Sequence, residues 1–150
     1  MLDLKDVTLV ALTNMRMEGH IAALKASIKN INFGDVKLIS EKDKVPSDLP
    51  TEINFEEMIY PIRSIDDYSF YMIYNIGQHI ETTHMLIIQD HGFVVNPSAW
   101  TDEFLEYDYI GAPWAWSENA YIDPFGNHQR VGNGGVSLRS KKLMDVPNKV

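Results

Sequence analysis

The segment VTLVALT at residues 7–13 limits the fold more than any other part of the sequence. It is apolar and β-branched on both faces, a pattern typical of an interior strand in a sheet that is covered on both sides. A second interior strand is predicted over residues 84–89, and Asp90 and His91 follow it at once. Burying such polar groups without partners would cost roughly 2–7 kcal/mol, so this strand must emerge beside a cleft, or the two side chains must have partners.

The segments around these strands alternate between helical and extended patterns. In chain order the sequence predicts a helix over 18–31, a strand over 36–40, a charged loop over 41–52, a short strand over 53–59, a helix over 64–80 that opens with a capping box at Ser64 and Asp67, and a further helix starting at 96–98. This order predicts one α/β domain over residues 1–150, with a mostly parallel sheet flanked by helices.

Residues from 107 onward are rich in glycine and aromatic residues and are predicted to form ordered loops. A helix start is predicted at Ser140, close to the end of the chain. A domain that stops there suggests a fragment of a longer enzyme.

Composition and charge exclude several classes of protein. With 13 Lys and Arg against 21 Asp and Glu, the formal net charge is −8, which argues against a protein that binds nucleic acid through its overall field. The absence of cysteine excludes disulfides and thiolate chemistry and favours cytoplasmic residence. No apolar run approaches the ~20 residues that span a bilayer, so no membrane span is expected.

Two pairs of polar residues are expected at one edge of the sheet. Thr13 and Asn14 follow the first strand, and Asp90 and His91 follow the strand at 84–89. Ligands bind beyond the carboxyl ends of parallel strands, so both pairs are candidates for a binding site. Asp90 and His91 have the donor atoms to hold a divalent cation, Mn²⁺ or Mg²⁺, that bridges the phosphates of a nucleotide diphosphate. The alternative is that Asp90 only caps a turn and His91 is a solvated rim residue, and the dipeptide alone favours this alternative.

A glycine cluster forms a second candidate site, made of Gly132, Asn133, Gly134 and Gly135. Three glycines in four positions let the backbone approach a ligand closely and direct N–H groups to an anion. Arg139, four residues further on, can add a bidentate phosphate contact. The alternative is a tight hairpin between Val131 and Val136, and the cluster is not a P-loop because the Lys-Ser/Thr ending is missing.

Large aromatic side chains form a third candidate. Trp114 and Trp116, in the segment GAPWAW, present faces on which a sugar can stack. The alternative is burial in the core, which we expect for one of the two. The exposed Trp and Tyr residues near 107–121 are equally suited to a homodimer contact. The remaining histidines lack metal-ligand spacing and are interpreted as surface or satisfied residues: His20, His79, His84 and His128.

Four segments together resemble an uncharacterised family of glycosyltransferase-like domains. They are LDLKDVTLVALT, SIDDYSFYMIYNIG, LIIQDHGFVVNPSAWTDEFLEYDYIGAPW and VGNGGVSLRS, and the resemblance runs from about residue 3 to 147. It implies a GT-A-like fold, in which a Rossmann-type nucleotide-binding sheet has a central strand that ends on an acidic metal motif. It also implies transfer of a sugar from a nucleotide-diphosphate donor to an unknown acceptor, a glycan or another hydroxyl compound.

The resemblance also assigns roles to the candidate residues. The pair after the first strand borders the base and ribose, and the Asp90–His91 pair holds the metal and diphosphate. The glycine cluster lies against the donor sugar, and Trp114 lies near the sugar or the acceptor. Catalysis is then electrostatic, with the metal and Arg139 stabilising the leaving diphosphate while an acceptor hydroxyl attacks the anomeric carbon.

Two other functions remain open. A catalytically degenerate domain of the same fold would bind sugar or nucleotide, or act as a scaffold. It is favoured by the lack of a strict DxD motif and of an evident catalytic base after the glycine cluster. An unrelated α/β nucleotide-binding or phosphatase-like protein would use Asp90 as nucleophile or metal ligand, but the second acid and the threonine that such chemistry needs do not follow Asp90.

Overall fold

A six-stranded mixed sheet with helices on both faces forms the framework of the chain. The structure, a computed structural model, describes residues 1–132 and 135–149. Within these residues the strands and α-helices, in chain order, are β1 (Leu2–Leu12), α1 (Met17–Ile28), β2 (Ile31–Ser40), β3 (Asn54–Glu57), α2 (Ile65–Tyr74), β4 (His84–Ile87), β5 (Tyr109–Gly111), β6 (Ser137–Ser140) and α3 (Lys141–Asp145). The predicted α/β class is confirmed.

The strand order is β3-β2-β1-β4-β6-β5, and the sheet is parallel only in part. β3, β2, β1 and β4 pair in parallel, whereas β6 runs antiparallel to both of its neighbours. The prediction of a mostly parallel sheet therefore holds for these four strands, and the prediction of loops from 107 onward is wrong at β5 and β6. Both of these strands are short, three and four residues, so their own sequences carry little strand pattern.

The two faces of the sheet bury separate cores on either side of β1. Leu9 and Ala11 point into one core, which α1 covers with Ala23 and Leu24. Val10 and Leu12 point into the other core, which is covered by α2 and the turn after it. Every residue from 7 to 12 is buried, so the predicted interior strand is confirmed.

Capping side chains fix where two of the helices begin. Ser64 Oγ accepts a hydrogen bond from the Asp67 N–H at 3.1 Å, and Asp67 Oδ2 accepts from the Arg63 N–H at 2.9 Å. Ser140 Oγ accepts from the Leu143 N–H at 3.0 Å at the start of α3. The predicted caps at Ser64 and Ser140 are thus confirmed, but Asp67 bonds the N–H of Arg63 and not that of Ser64, as a full capping box would require. Such caps contribute typically about 1 kcal/mol each.

The helix predicted to start at 96–98 is absent, and this prediction is wrong. Two 3₁₀ turns, Pro97–Ala99 and Asp102–Glu106, occupy the segment. Trp100 between them is extended, and the Thr101 hydroxyl accepts a hydrogen bond from the Glu103 N–H, which starts a new turn. Trp100 and Phe104 still pack against the core on the α1 face, so the apolar positions were recognised correctly although their backbone was not.

Among the described residues, no helix combines the length and the apolar character needed to cross a membrane.

A polar network ties β3, a strand at the edge of the sheet, to β2 and α2. Lys37 Nζ lies 2.5 Å from Glu56 Oε2 and donates to the His79 carbonyl oxygen at 2.6 Å. His79 Nδ1 lies 3.3 Å from Glu56 Oε1, and its Nε2 lies 2.6 Å from the Tyr71 hydroxyl. Burial raises the pKa of Glu56, but hydrogen bonds and attraction from Lys37 and His79 outweigh this effect and hold the pKa below its ordinary value.

Replacing Glu56 tests how much this network stabilises the fold. Glu56→Gln should lower the free energy of unfolding by about 1 kcal/mol at pH 7, because the nearly buried Lys37 ammonium loses its nearer carboxylate and keeps only Asp35 Oδ2, at 3.6 Å, as a charged partner. Glu57→Gln, on the same strand but exposed, is the control and should change it by less than about 0.5 kcal/mol. Urea unfolding at both pH 7 and lower pH measures these differences.

The stability difference between wild type and Glu56→Gln should depend on pH, and the direction of this dependence follows from the pKa of Glu56. The pKa of Glu56 is depressed in the folded state below its ordinary value of 4.5. The contribution of this carboxylate to the free energy of unfolding is therefore complete above pH 4.5, and it is lost as the pH falls through the pKa of the folded state. The stability gap between wild type and Glu56→Gln should therefore close on acidification. A gap that is absent at pH 7 would show that the network does not hold β3.

Candidate functional site

A tight turn after β4 explains how Asp90 and His91 can directly follow a buried strand. The Gln89 N–H donates to the Gly92 carbonyl oxygen at 3.0 Å, and the Gly92 N–H donates to the Gln89 carbonyl oxygen at 3.2 Å. Asp90 and His91 are thus the two central residues of a reversal at the carboxyl end of a central strand. A β-turn leaves its central side chains free to contact other elements.

Asp90 has a partner on each of its carboxylate oxygens. Oδ1 accepts from His91 Nδ1 at 2.9 Å, and Oδ2 accepts from Arg16 Nη1 at 3.1 Å. The hydrogen bond from His91 is the main cause that holds the pKa of Asp90 below its ordinary value, and the positive charges of His20 and Arg16 act in the same direction. The Asp90 side chain is only 16% exposed, whereas those of Arg16 and His91 are 70% and 66% exposed.

Arg16 occupies a backbone conformation that few residues other than glycine adopt. Its φ of 49° and ψ of 44° lie in the left-handed region, at the residue just before α1. The His20 N–H and His20 Nδ1 both contact the Arg16 carbonyl oxygen, at 3.1 and 2.9 Å. A left-handed residue with a side chain costs roughly 1–2 kcal/mol, and such strain is concentrated at functional sites. In this conformation of the Arg16 backbone, the guanidinium group reaches Asp90.

Thr13 and Asn14, at the carboxyl end of β1, shape the neighbouring wall. The Thr13 hydroxyl donates to the Met15 carbonyl oxygen at 2.6 Å and accepts from the Met15 N–H at 3.2 Å. The Asn14 amide donates to Glu41 Oε2 at 3.0 Å and to the Ile62 carbonyl oxygen at 2.6 Å. The Asn14 bonds join the end of β1 to the residue after β2 and to the segment before α2, whereas the Thr13 bonds close a local turn.

These residues surround one cleft of about 370 Å³, which we call the Asp90 cleft. Its lining includes the residues predicted to meet at this edge of the sheet and several that the prediction missed: Thr13, Asn14, Arg16, His20, Arg63, Ser64, Tyr68, Gln89, Asp90 and His91. Two arginines and one aspartate are therefore among the lining residues of this cleft, in a chain of net charge −8. Gly19 brings the first turn of α1 against the side chain of Asp90, since a Cβ at Gly19 would lie 3.0 Å from Asp90 Cβ.

Arg139 lines a different cleft, of about 360 Å³, which we call the Arg139 cleft. Tyr68 and Gln89 line both clefts and separate them, with Gln89 Nε2 donating to the Tyr68 hydroxyl at 3.2 Å. Arg139 Nε donates to Ser137 Oγ at 3.2 Å, and its guanidinium lies 5.1 Å from the centre of the Tyr109 ring. The structure thus brings Arg139 beside the Asp90 cleft and not into it.

The glycine cluster is described only at its two ends. Gly132 donates its N–H to the Ala112 carbonyl oxygen at 2.8 Å, and its own carbonyl oxygen accepts from the Tyr109 hydroxyl at 2.9 Å. Gly135 lies close to the turn after β4, since a Cβ there would come within 3.1 Å of His91 Nε2. Asn133 and Gly134, also predicted to contact the donor, lie outside the described residues.

Trp114 and Trp116 lie on an arm formed by residues 112–132, with side chains that are 55% and 62% exposed. Backbone bonds between the two sides of the arm hold it together, and Arg130 Nε donates to the Trp114 carbonyl oxygen at 2.8 Å. The expectation that one of these tryptophans is buried in the core is therefore wrong. Both are free to meet a ligand or another molecule.

The Asp90–His91 pair does not fit a divalent cation. Both carboxylate oxygens already have donors, and one of these donors is a guanidinium, which would repel a cation at that position. Among residues 1–132 and 135–149, no cluster of three or more His, Cys, Asp and Glu residues could hold a metal ion. In this geometry the carboxylate of Asp90 is the partner of Arg16.

Arg16, His20 and Arg63 are site residues that the sequence analysis missed. The rule that ligands bind beyond the carboxyl ends of strands was applied only to the two residues after β1. Extending it to the start of the following helix includes Arg16, which stands immediately before Met17. No pattern in the sequence indicated Arg63, which lies before α2 and reaches the cleft only because α2 packs beside β1 and β4.

Removing either partner of Asp90 should raise the pKa of Asp90, by a different amount for each partner. His91→Gln should raise the pKa of Asp90 clearly, because the hydrogen bond from His91 is the largest influence on it, and Arg16→Met should raise it less. Carboxyl ¹³C NMR titrations of the three proteins measure this. Asp123, whose pKa is lowered by bonds from Asn127 on the distant arm, is the internal control and should not move. An Asp90 pKa at its ordinary value in wild type would contradict these contacts.

Comparison with known protein families gives one match. The family DUF5672, described as proteins of unknown function, matches residues 52–148, about two thirds of the chain. The matched part contains Arg63, Tyr68, Asp90, His91 and Arg139, whereas the β1 side of the Asp90 cleft precedes it. A comparison with curated proteins found no match. The chain belongs to the DUF5672 family.

Proposed function

We propose that the chain is a GT-A-like glycosyltransferase domain that binds a nucleotide-sugar donor in the Asp90 cleft. One observation carries this proposal. The chain leaves β1 through α1 to reach β2 on one side, whereas β4 pairs with β1 on the other side. The carboxyl ends of β1 and β4 therefore flank a topological switch point, which is where open α/β sheets bind their ligands, and the Asp90 cleft lies there.

The charges of the cleft agree with an anionic donor. Arg16 and Arg63 are among its lining residues, and both α1 and α2 begin there with their positive ends. Thr13 and Asn14 line the same cleft, where base and ribose would lie. The adjoining Arg139 cleft has room for the sugar, since both clefts fall in the usual size range of ligand sites, about 300–1,000 Å³.

The proposed reaction needs no group beyond donor, acceptor and side chains. An acceptor hydroxyl oxygen attacks the anomeric carbon, and the bond from that carbon to the phosphate oxygen breaks, with its electron pair passing to the diphosphate. The acceptor proton passes to an oxygen of the departing diphosphate. The positively charged side chains of the cleft stabilise the charge that develops on the leaving group.

A second candidate is a domain that binds the donor without transferring its sugar. Within the described residues, Asp90 is the one carboxylate that lines the Asp90 cleft, and both of its oxygens are engaged. No other carboxylate there is placed to accept the proton of an acceptor. This observation favours a binding domain, and a turnover measurement separates the two candidates.

Thermal unfolding with a series of nucleoside diphosphates tests the donor site. A diphosphate present at a hundred times its Kd should stabilise the chain by about 2.7 kcal/mol. Gly19→Val should abolish most of this gain, because its side chain would crowd the space beside Asp90. Ala26→Val, on an exposed position of the same helix, is the matched control and should keep it. Stabilisation that survives in Gly19→Val would exclude the Asp90 cleft as the donor site.

Turnover is tested with nucleotide sugars that contain the diphosphate found to bind. The measured quantity is the nucleoside diphosphate released from them. We expect slow release with water and faster release with a panel of glycan and other hydroxyl acceptors. Binding without release under any of these conditions would favour the second candidate, and the absence of binding would contradict both.

A further inference from the structure

We infer that a diphosphate in the Asp90 cleft is held directly by the guanidinium groups of Arg16 and Arg63, and that Asp90 positions Arg16 instead of coordinating a divalent cation. This inference rests on the proposed function, because it concerns how the same cleft would hold the anionic part of its ligand. It departs from what the resemblance implies, a metal between an acidic motif and the phosphates.

Arg16 keeps most of its binding capacity although it is paired. A guanidinium carries five N–H donors, and in the described part of the chain only Nη1 has a partner, the Asp90 carboxylate at 3.1 Å. The side chain is 70% exposed, so a ligand that enters the cleft can reach it. The backbone beneath it is fixed by the two contacts from His20 to its carbonyl oxygen. A fixed, exposed guanidinium is suited to bidentate contact with a phosphate.

Arg63 supplies the second cation from the other side of the cleft. Its backbone N–H is held by Asp67 Oδ2 at 2.9 Å, directly before the Ser64 cap of α2. Arg63 lines the cleft, and its guanidinium has no hydrogen bond or ion pair with another described residue, so it is available to a ligand there. The two arginines thus stand at the starts of α1 and α2, and a diphosphate carries enough oxygens to meet both.

The role assigned to Asp90 follows from its occupied oxygens. A cation bound to Asp90 would have to displace the guanidinium on Oδ2 or the imidazole on Oδ1. A carboxylate that holds no metal repels a phosphate. Asp90→Asn removes this charge but keeps an amide oxygen that can accept from Arg16, so it should not weaken phosphate binding. If Asp90 were a metal ligand, the same change would weaken binding strongly. The two roles therefore predict opposite results for one substitution.

Calorimetric titration with inorganic pyrophosphate and with UDP, ADP and GDP, in EDTA and in Mn²⁺, tests the inference on the full chain. We expect at least one diphosphate to bind in EDTA. Arg16→Met and Arg63→Met should each raise its Kd about tenfold or more, and Asp90→Asn should bind at least as tightly as wild type. Lys29→Met removes the same charge at the far end of α1 and should change the Kd less than about twofold. Should Arg16→Met fail to fold, Arg63→Met and Asp90→Asn decide the question.

Other outcomes overturn the inference in distinguishable ways. Binding that requires Mn²⁺ and is lost in Asp90→Asn would make Asp90 a metal ligand and would leave the proposed function standing. Binding in EDTA that both arginine variants retain would place the diphosphate elsewhere. No binding of any diphosphate under either condition would remove the proposed function together with this inference.

Discussion

The burial of β1 on both faces is the constraint on which the rest of the structure depends. Val7 to Leu12 contact one core with one set of side chains and a second core with the other, so helices are needed on both sides of the sheet. β2 and β4 pair with β1 in parallel, with Leu9 opposite Leu86 and Val10 opposite Ile87. The parallel register makes β1 and β4 end at the same edge. That shared edge is the reason Thr13 and Asp90, far apart in the sequence, line one cleft.

Polar groups at this edge are stabilised by one another and not by burial. The Asp90 carboxylate is held between His91 and Arg16, and the strained backbone of Arg16 is held by His20. The Asn14 amide connects Glu41 to the Ile62 carbonyl oxygen and so fixes the segment that carries Arg63. A chain that is acidic as a whole thereby presents two guanidinium groups in one cavity. Such local concentration of one charge attracts anionic ligands regardless of the net charge.

The parts of the fold that the sequence predicted are those with strong local patterns. The continuous apolar run of β1, the apolar stripe of α2, and the caps at Ser64 and Ser140 were all recognisable because each depends on neighbours within a few residues. A helix starting at 96–98 was predicted because this segment has a typical helix-start pattern and is followed by apolar residues that include Trp100 and Phe104. Their packing on the sheet satisfied the apolar pattern with two 3₁₀ turns instead. β5 and β6 were not predicted, because strands of three and four residues have too short a pattern of their own and form by pairing with neighbouring strands.

The sequence by itself determined the α/β class, the central strands and the position of Asp90 and His91 at the end of one of them, since hydrophobic periodicity and turn chemistry are local properties. Only the tertiary structure decided which groups surround Asp90. Arg16 meets it across 74 positions of sequence, and Arg63 reaches the same cleft because α2 packs beside β1 and β4. It also separated Arg139 into a neighbouring cleft behind Tyr68 and Gln89. Contacts between distant residues depend on strand order and register. These are set by the packing of the whole sheet, so no short sequence pattern indicates them.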